Sequence, residues 1–440
     1  MVQRMSRMDV EIVDAKMVDT VDKARLAGGL FKEQNVSVIF LYISTYALSS
    51  TVLPVVQTAN VPVIILNLQP TQAIDYQRFN QLGDRALMTG EWLANCQACC
   101  VPEIACVFQL AGIPFHLITG TLQDEVSWKE IEEWMEAARV AEVMRNNRLG
   151  VLGHYYGGML DVYTDLTRHA VTFGSHIELL EMCQLKSWRD QVTDQAVETK
   201  IRQFHDEFDV WQECDPHEIT RAARTAVALD QLVQEHRLGS LAYYYEGVDG
   251  NEYQDLMTSV IAGASLLTAH HVPVAGEMEV KNVQAMKIMD AFGAGGSFSE
   301  FYGLDFNEEI ILMGHDGPGH LAIAEGQPQL KPLRVYHGKP GQGLSVEMQV
   351  KHGDITVLAV AQTREGKLKM IVGEGRSVPG PILEIGNTNG RYQFPIPVKQ
   401  FMNDWSRQGP SHHFAIGVGH LADKIKKLGA LLDMDVVQVC

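Results

Sequence analysis

The residues best suited to chemistry lie in Ala275–His320, AGEMEVKNVQAMKIMDAFGAGGSFSEFYGLDFNEEIILMGHDGPGH. Glu277 stands in GEME, Glu300 in GSFSE and His315 in MGHDGPGH, and a histidine pair, His412-His413, follows much later after Ser411. Two carboxylates and two imidazoles form a ligand set for a divalent cation of the manganese, iron or zinc kind, with positions left open for a substrate. Singly, a glutamate is usually a solvated surface group and a histidine a satisfied structural one. Together they weigh more, because each borders an apolar or small-residue segment. Glu277 follows Val272-Pro273-Val274-Ala275-Gly276, Glu300 a run of glycine and small residues, and His315 the run IILMG; His412-His413 precedes FAIGV. In α/β sheets, ligands bind at the carboxyl ends of strands.

The elements that must position these groups read as two α/β segments and a β-rich one. Val36–Ile43 and Val63–Leu68 are near-continuous apolar strands, Phe115–Thr119 is a third, and Asp9–Ile12 reads as a short one. Helices are expected at Asp19–Gln34, Ala47–Gln57, Leu87–Cys99 and Ser127–Met144. Uninterrupted apolar strands separated by helices mean a parallel sheet covered on both faces. Arg148–Gly153 restarts the series, followed by His176–Leu180 and Ser240–Tyr245 as strands. Asp215 caps a helix whose first residue is Pro216 and which runs to His236; Tyr253–His270 is another. Beyond Glu300, Leu333–His337, Leu344–Val350, Ile355–Gln362, Leu368–Gly373 and Tyr392–Pro395 are short β-like runs divided by Gly and Pro, as in an antiparallel barrel or sandwich. A helix at Leu421–Leu432 closes the chain. Three domains are expected: residues 1–146 and 147–292, each α/β, and 293–440, the β-barrel with metal ligands.

Composition narrows the partners. The 440 residues carry a formal charge of −18, which argues against nucleic acid and anionic membranes. No apolar run is long enough to span a bilayer; VPVIILNL suits a buried strand. The start, MVQRMSRMDVEIVD, lacks a hydrophobic signal core, so a cytoplasmic protein is expected. Of seven cysteines, Cys96, Cys99, Cys100 and Cys106 cluster, and small thiols packed in a helix and its following turn explain them better than zinc or disulfides. The glycine clusters Gly293–Gly296, Gly338–Gly343 and Gly417–Gly419 lack the spacing of a phosphate loop. Neither GxSxG nor HExxH occurs.

The motifs resemble those of the L-arabinose isomerase family and, more distantly, the L-fucose isomerase-like group. GEMEVK is similar to that family's GEGDWK-type motif, MKIMDAFGAGGSFSEFY to its MKxM…GGTSFMEDY, MGHDGPGH to its LGSH, PSHHFAIGVGH to its GAHHT, and LITGTLQDE to its VTGHWQD. The resemblance implies that Glu277, Glu300, His315 and His413 hold the metal, that Glu277 and Glu300 also relay protons, and that His412 and Lys281 contact the sugar. It implies two flavodoxin-like (Rossmann-like) α/β domains followed by the C-terminal antiparallel β-barrel, Mn2+ (or another divalent ion such as Co2+) as cofactor, and a homo-oligomer, hexamer or tetramer. The reaction it implies is aldose–ketose isomerisation of a small sugar through an enediol. Three departures stand out: Met278-Glu279-Val280 after the first glutamate, Thr121 in place of a histidine, and no counterpart of the family's first strand and helix before Asp9, read as loss of that unit or an internal start codon. A catalytically silent sugar-binding or regulatory protein, or a metal-dependent epimerase or lyase, is the competing reading. Because neighbours on an extended segment point to opposite sides, His412 and His413 are not expected to enter one metal shell without a kink.

Overall fold

Val63–Leu68 has no polar side chain facing out on either side except Asn67, so it needs cover on both faces, and the fold provides it. The structure is a computed structural model that describes every residue but Asp9, Asp249, His337, Gly338 and Gly341, and the backbone alone at Val335, Tyr336, Lys339 and Pro340. The chain divides into two compact units, Met1–Glu142 and Val143–Cys440.

In the first unit, β1 (Ile39–Tyr42), β2 (Val63–Gln69) and β3 (Phe115–Thr121) form a parallel sheet in the order β1-β2-β3. Every residue of β2 up to Leu68 is buried, among Ala24, Ala27, Val55, Val56, Ile104 and Phe108 from the helices on either side. The helix expected at Leu87–Cys99 is instead two, Arg85–Leu93 and Gln97–Ala111. The buried Gln97 amide donates to the carbonyls of Ala94 and Ser44, ending one helix and starting the next. Cys99, Cys100 and Cys106 lie in the second helix, Cys96 caps it, and none is disulfide-bonded. The strand expected at Asp9–Ile12 does not form over Val10–Ile12, and Asp9 lies outside the described residues.

The second unit opens with another parallel sheet, β5-β4-β6-β7, made of β4 (Arg148–Gly153), β5 (His176–Leu180), β6 (Ser240–Tyr244) and β7 (Val274–Ala275). Asp215 caps the helix Pro216–His236 through the His217 amide, as its sequence predicts. The stretch Tyr253–His270 breaks into Glu252–Met257 and Ile261–Ala269. The buried Arg221 guanidinium takes the carbonyl of Asp255, and the Ser259 hydroxyl takes that of Leu256, so side chains compete with helical amides there.

The helix Val280–Ala291 is buried at every residue and packs on a closed antiparallel barrel. Its strands are β8 (Gly295–Asp305), β9 (Ile310–His315), β10 (Gly353–Gln362), β11 (Leu368–Val378), β12 (Thr388–Gln393) and β13 (His413–Val418). Their order, β10-β13-β8-β9-β12-β11, closes through the pairing of β10 with β11. The run expected at Leu344–Val350 pairs outside the barrel as Leu344–Glu347, beside Gln329–Pro332 and Asp209–Val210. Val335–Tyr336 pairs with Lys339–Pro340; His337, and Gly338 and Gly341 of the glycine cluster, lie outside the described residues. The chain does not end on a helix. Asp433, with φ 52°, turns it back after Ala422–Leu431, and β14 (Asp435–Gln438) pairs parallel to β11. No single helix among the described residues is long and apolar enough to cross a membrane.

One glycine sets the spacing of the barrel beside the metal-type ligands. A Cβ on Gly314 would lie 2.0 Å from the Thr388 carbonyl oxygen on β12. Gly314→Ala is expected to destabilise the protein by about 2 kcal/mol or more, because backbone rather than a movable side chain must give way. An unchanged urea midpoint would contradict this close packing.

Candidate metal centre

Glu277 sits just past the carboxyl end of β7, in a turn that two non-glycine residues make in the left-handed region: Glu277 at φ 56° and Met278 at φ 58°. Such a conformation costs about 1–3 kcal/mol per residue and persists only where its surroundings enforce it. Here the Met278 amide donates to the Tyr243 carbonyl, the Glu279 amide to the Gly276 carbonyl, and the Met278 side chain is buried. The turn directs the Glu277 carboxylate at the barrel's histidines.

The barrel brings in the other three residues on adjacent strands. Glu300 on β8 stands opposite His413 on β13 and opposite Gly314 on β9, one residue before His315. Phe298, two residues before Glu300 on β8, lies under both imidazoles, its ring centroid 4.2 Å from His315 and 4.5 Å from His413. His315 Nε2 is 3.2 Å from His413 Nε2 and 3.8 Å from Glu277 Oε1; His413 Nε2 is 3.5 Å from Glu277 Oε2. Glu277, His315 and His413 are buried, and Glu300 and His412 are half-buried.

These distances suit a cation. Donors about 2.0–2.2 Å from one ion stand about 3.0–3.5 Å apart as tetrahedral or octahedral neighbours. Glu277 Oε2 is buried and takes no hydrogen bond, a cost that a cation would remove. The buried Glu277, His315 and His413 form one group able to hold a metal; Glu300, His412 and His413 form a second, sharing His413. The Gly317 amide donates to His315 Nδ1, so in this cation-free arrangement the His315 proton sits on Nε2, facing His413 Nε2. Ligation through Nε2 requires that proton to move to Nδ1, where Asp316 Oδ1, 3.5 Å away, is the acceptor in place of the Gly317 contact.

His412 departs from the expectation that it points away from His413. It precedes the first residue of β13, so strand alternation does not govern it, and the two rings are tilted together with centroids 3.8 Å apart. Its Nε2 lies 3.7 Å from Glu277 Oε2 and its Nδ1 2.6 Å from Asp161 Oδ2. Lys281, expected at the sugar, is buried with its amine on the Asp161 carbonyl oxygen at 2.6 Å and 3.3 Å from Glu279 Oε1. Sequence reasoning singled out neither Asp161 nor Phe298, and noted Glu279 only as a departure from a motif. An acidic residue in the loop after β4 was the available signal for Asp161.

The electrostatics separate the two glutamates. Burial alone would raise the Glu277 carboxyl, but the facing His412 ring and the charges of His315 and His413 outweigh it and hold the pKa at about 2. Burial of Glu300 wins over the charges of His413 and His412 and pushes its pKa up. Burial opposes the His412 imidazolium, yet the carboxylates of Glu277 and Asp161 on its two nitrogens raise its pKa to about 9. Burial also pushes the Tyr302 hydroxyl up, close to Asp316 and Glu300.

These shifts predict the pH profile of the cation-free protein. The Glu277 contribution is complete above the unfolded value of 4.5 and is lost as pH falls toward about 2. The His412 contribution is complete below 6.5 and is lost as pH rises through about 9. Thermal melts in chelator should show an alkaline decline that His412→Ala flattens; identical alkaline limbs would contradict the pairing.

Comparison with known proteins places this centre in context. No protein-family model matches the chain. The chain is 20% identical over 341 residues to sulfoquinovose isomerase of Alkalicoccus urumqiensis, covering 74% of this chain and 72% of that protein. The likeness agrees with the wider sugar-isomerase group of the L-fucose and L-arabinose type and does not single out L-arabinose isomerase.

Proposed function

We propose that the protein is an aldose–ketose isomerase acting on a small sugar, with a divalent cation held by Glu277, Glu300, His315 and His413. The observation that carries this reading is the buried convergence of Glu277, His315 and His413, with Glu300 and His412 half-buried beside them. The likeness to a sugar isomerase supports an enzyme of that type. A bound cation such as Mn2+ would supply Lewis-acid polarisation of the substrate's carbonyl and hydroxyl oxygens.

The chain's own residues account for the proton movements. Isomerisation moves one hydrogen between C1 and C2 and one between the two oxygens, with no external oxidant. A carboxylate takes the C2 proton, the C–H electron pair forms the C1=C2 bond of an enediol, and the carbonyl oxygen is protonated. Return of a proton to C1, with loss of the proton on O2, gives the ketose. Glu300, whose pKa is raised, is suited to carry this proton, while Glu277 stays ionised. His412, whose Nε2 faces Glu277, would hold a sugar hydroxyl in this reading. Lys281 serves the sugar through the groups it holds.

The test is a sugar panel with added Mn2+: aldopentoses, aldohexoses, 6-deoxy sugars and sulfoquinovose, with products identified by NMR. We expect interconversion of at least one aldose–ketose pair and about one ion per chain by elemental analysis. A protein that holds its ion yet converts none of the panel, or that yields an epimer or a cleaved product, would overturn the assignment.

A further inference from the structure

The two adjacent imidazoles are held from behind by a polar circuit that no motif revealed. His412 Nδ1 lies 2.6 Å from Asp161 Oδ2, which also accepts the His412 backbone amide at 3.0 Å. The Asp161 carbonyl oxygen accepts Lys281 Nζ at 2.6 Å, and Lys281 Nζ stands 3.3 Å from Glu279 Oε1. Glu279 Oε2 then meets His413 Nδ1 at 3.5 Å. The chain of contacts runs His412–Asp161–Lys281–Glu279–His413. It takes both Nδ1 atoms and leaves both Nε2 atoms at 3.7 and 3.5 Å from the same Glu277 oxygen.

We propose that Asp161, Lys281 and Glu279 are positioning residues that hold a proton on Nδ1 of both histidines, so that His413 presents its Nε2 lone pair to a cation and His412 its Nε2 edge to the sugar. The sugar part rests on the isomerase reading; the geometric part does not. A neutral imidazole ligates through one nitrogen only when the other carries the proton, and a carboxylate behind it fixes that tautomer. Glu279 supplies the carboxylate for His413 and is itself fully buried, a position that an unpaired anion would not tolerate. Lys281, also buried, compensates that charge and ties it to the loop carrying Asp161. The circuit also explains how neighbours in sequence come to face one site: separate carboxylates capture each ring.

Two variants of the 440-residue chain separate the arms. In Glu279→Gln the amide oxygen turns to the Lys281 ammonium, which leaves the NH2 facing His413 Nδ1. Donor would meet donor, so His413 shifts its proton to Nε2. We expect affinity for Mn2+ alone, by calorimetry, to fall about 10–100-fold. In the metal-free protein, the hydrogen-bonded imidazole N–H resonance assigned to His413 should disappear. Asp161→Ala, at a half-exposed position where truncation leaves no core cavity, should remove the His412 resonance only and leave Mn2+ affinity unchanged. The resonances are assigned by their loss in His412→Ala and His413→Ala. Wild-type Mn2+ affinity in Glu279→Gln, or a retained His412 resonance in Asp161→Ala, would overturn the proposal. If no sugar is converted by the wild type, the isomerase reading fails while these outcomes still decide the circuit. If one is, Asp161→Ala should raise KM about tenfold with kcat little changed, the signature of a lost charge-assisted contact to bound substrate.

Discussion

His413→Ala is expected to lose metal and activity together, whereas His412→Ala keeps the metal and loses substrate affinity or turnover. The asymmetry follows from the geometry. His413 belongs to both candidate ligand groups, is buried, and has its second nitrogen backed by Glu279. Its removal takes one donor from each group and opens a gap between Phe298 and Glu277. His412 is a third exposed, and its second nitrogen is tied to Asp161. Elemental analysis after desalting, paired with turnover of the sugar found in the panel, measures both effects. The roles would have to be exchanged if His412→Ala emptied the centre while His413→Ala left the ion in place.

Glu300→Gln should cut kcat by about 10²–10⁴-fold, the usual worth of a positioned acid or base, while lowering metal content far less. Glutamine keeps a carbonyl oxygen that can still approach a cation, but it cannot take or deliver a proton. Glu300 is the carboxylate whose pKa is raised by burial, and Glu277 the one held ionised by the imidazoles around it. Glu277→Gln should show the opposite balance, losing metal at least as severely as turnover. Equal losses of metal and rate in Glu300→Gln would mean that it acts as a ligand alone.

The sequence by itself determined the periodic parts of this protein. The apolar runs of β2, β4 and β6 read as strands, and Asp215-Pro216 as the opening of a helix, and these elements stand where their residues place them. It also marked Glu277, Glu300, His315 and the pair His412-His413 as candidates, since each borders an apolar or small-residue segment, while the choice of His413 over His412 as ligand came from the resemblance of PSHHFAIGVGH to a family motif. Tertiary structure alone decided the rest. Whether a helix continues through Ala94–Cys96 or Thr258–Val260 depends on Gln97, Arg221 and Ser259, which compete for carbonyls supplied partly by distant segments. Whether a short apolar run such as Val436-Val437 is a strand depends on a partner edge, which β11 offers. The orientation of His412 is the sharpest case. Strand alternation would point it away from His413, but it lies outside the strand, and a carboxylate from the loop after β4 turns its ring toward Glu277. Local spacing sets which side chains are available; hydrogen-bond partners brought together across the fold set where they point.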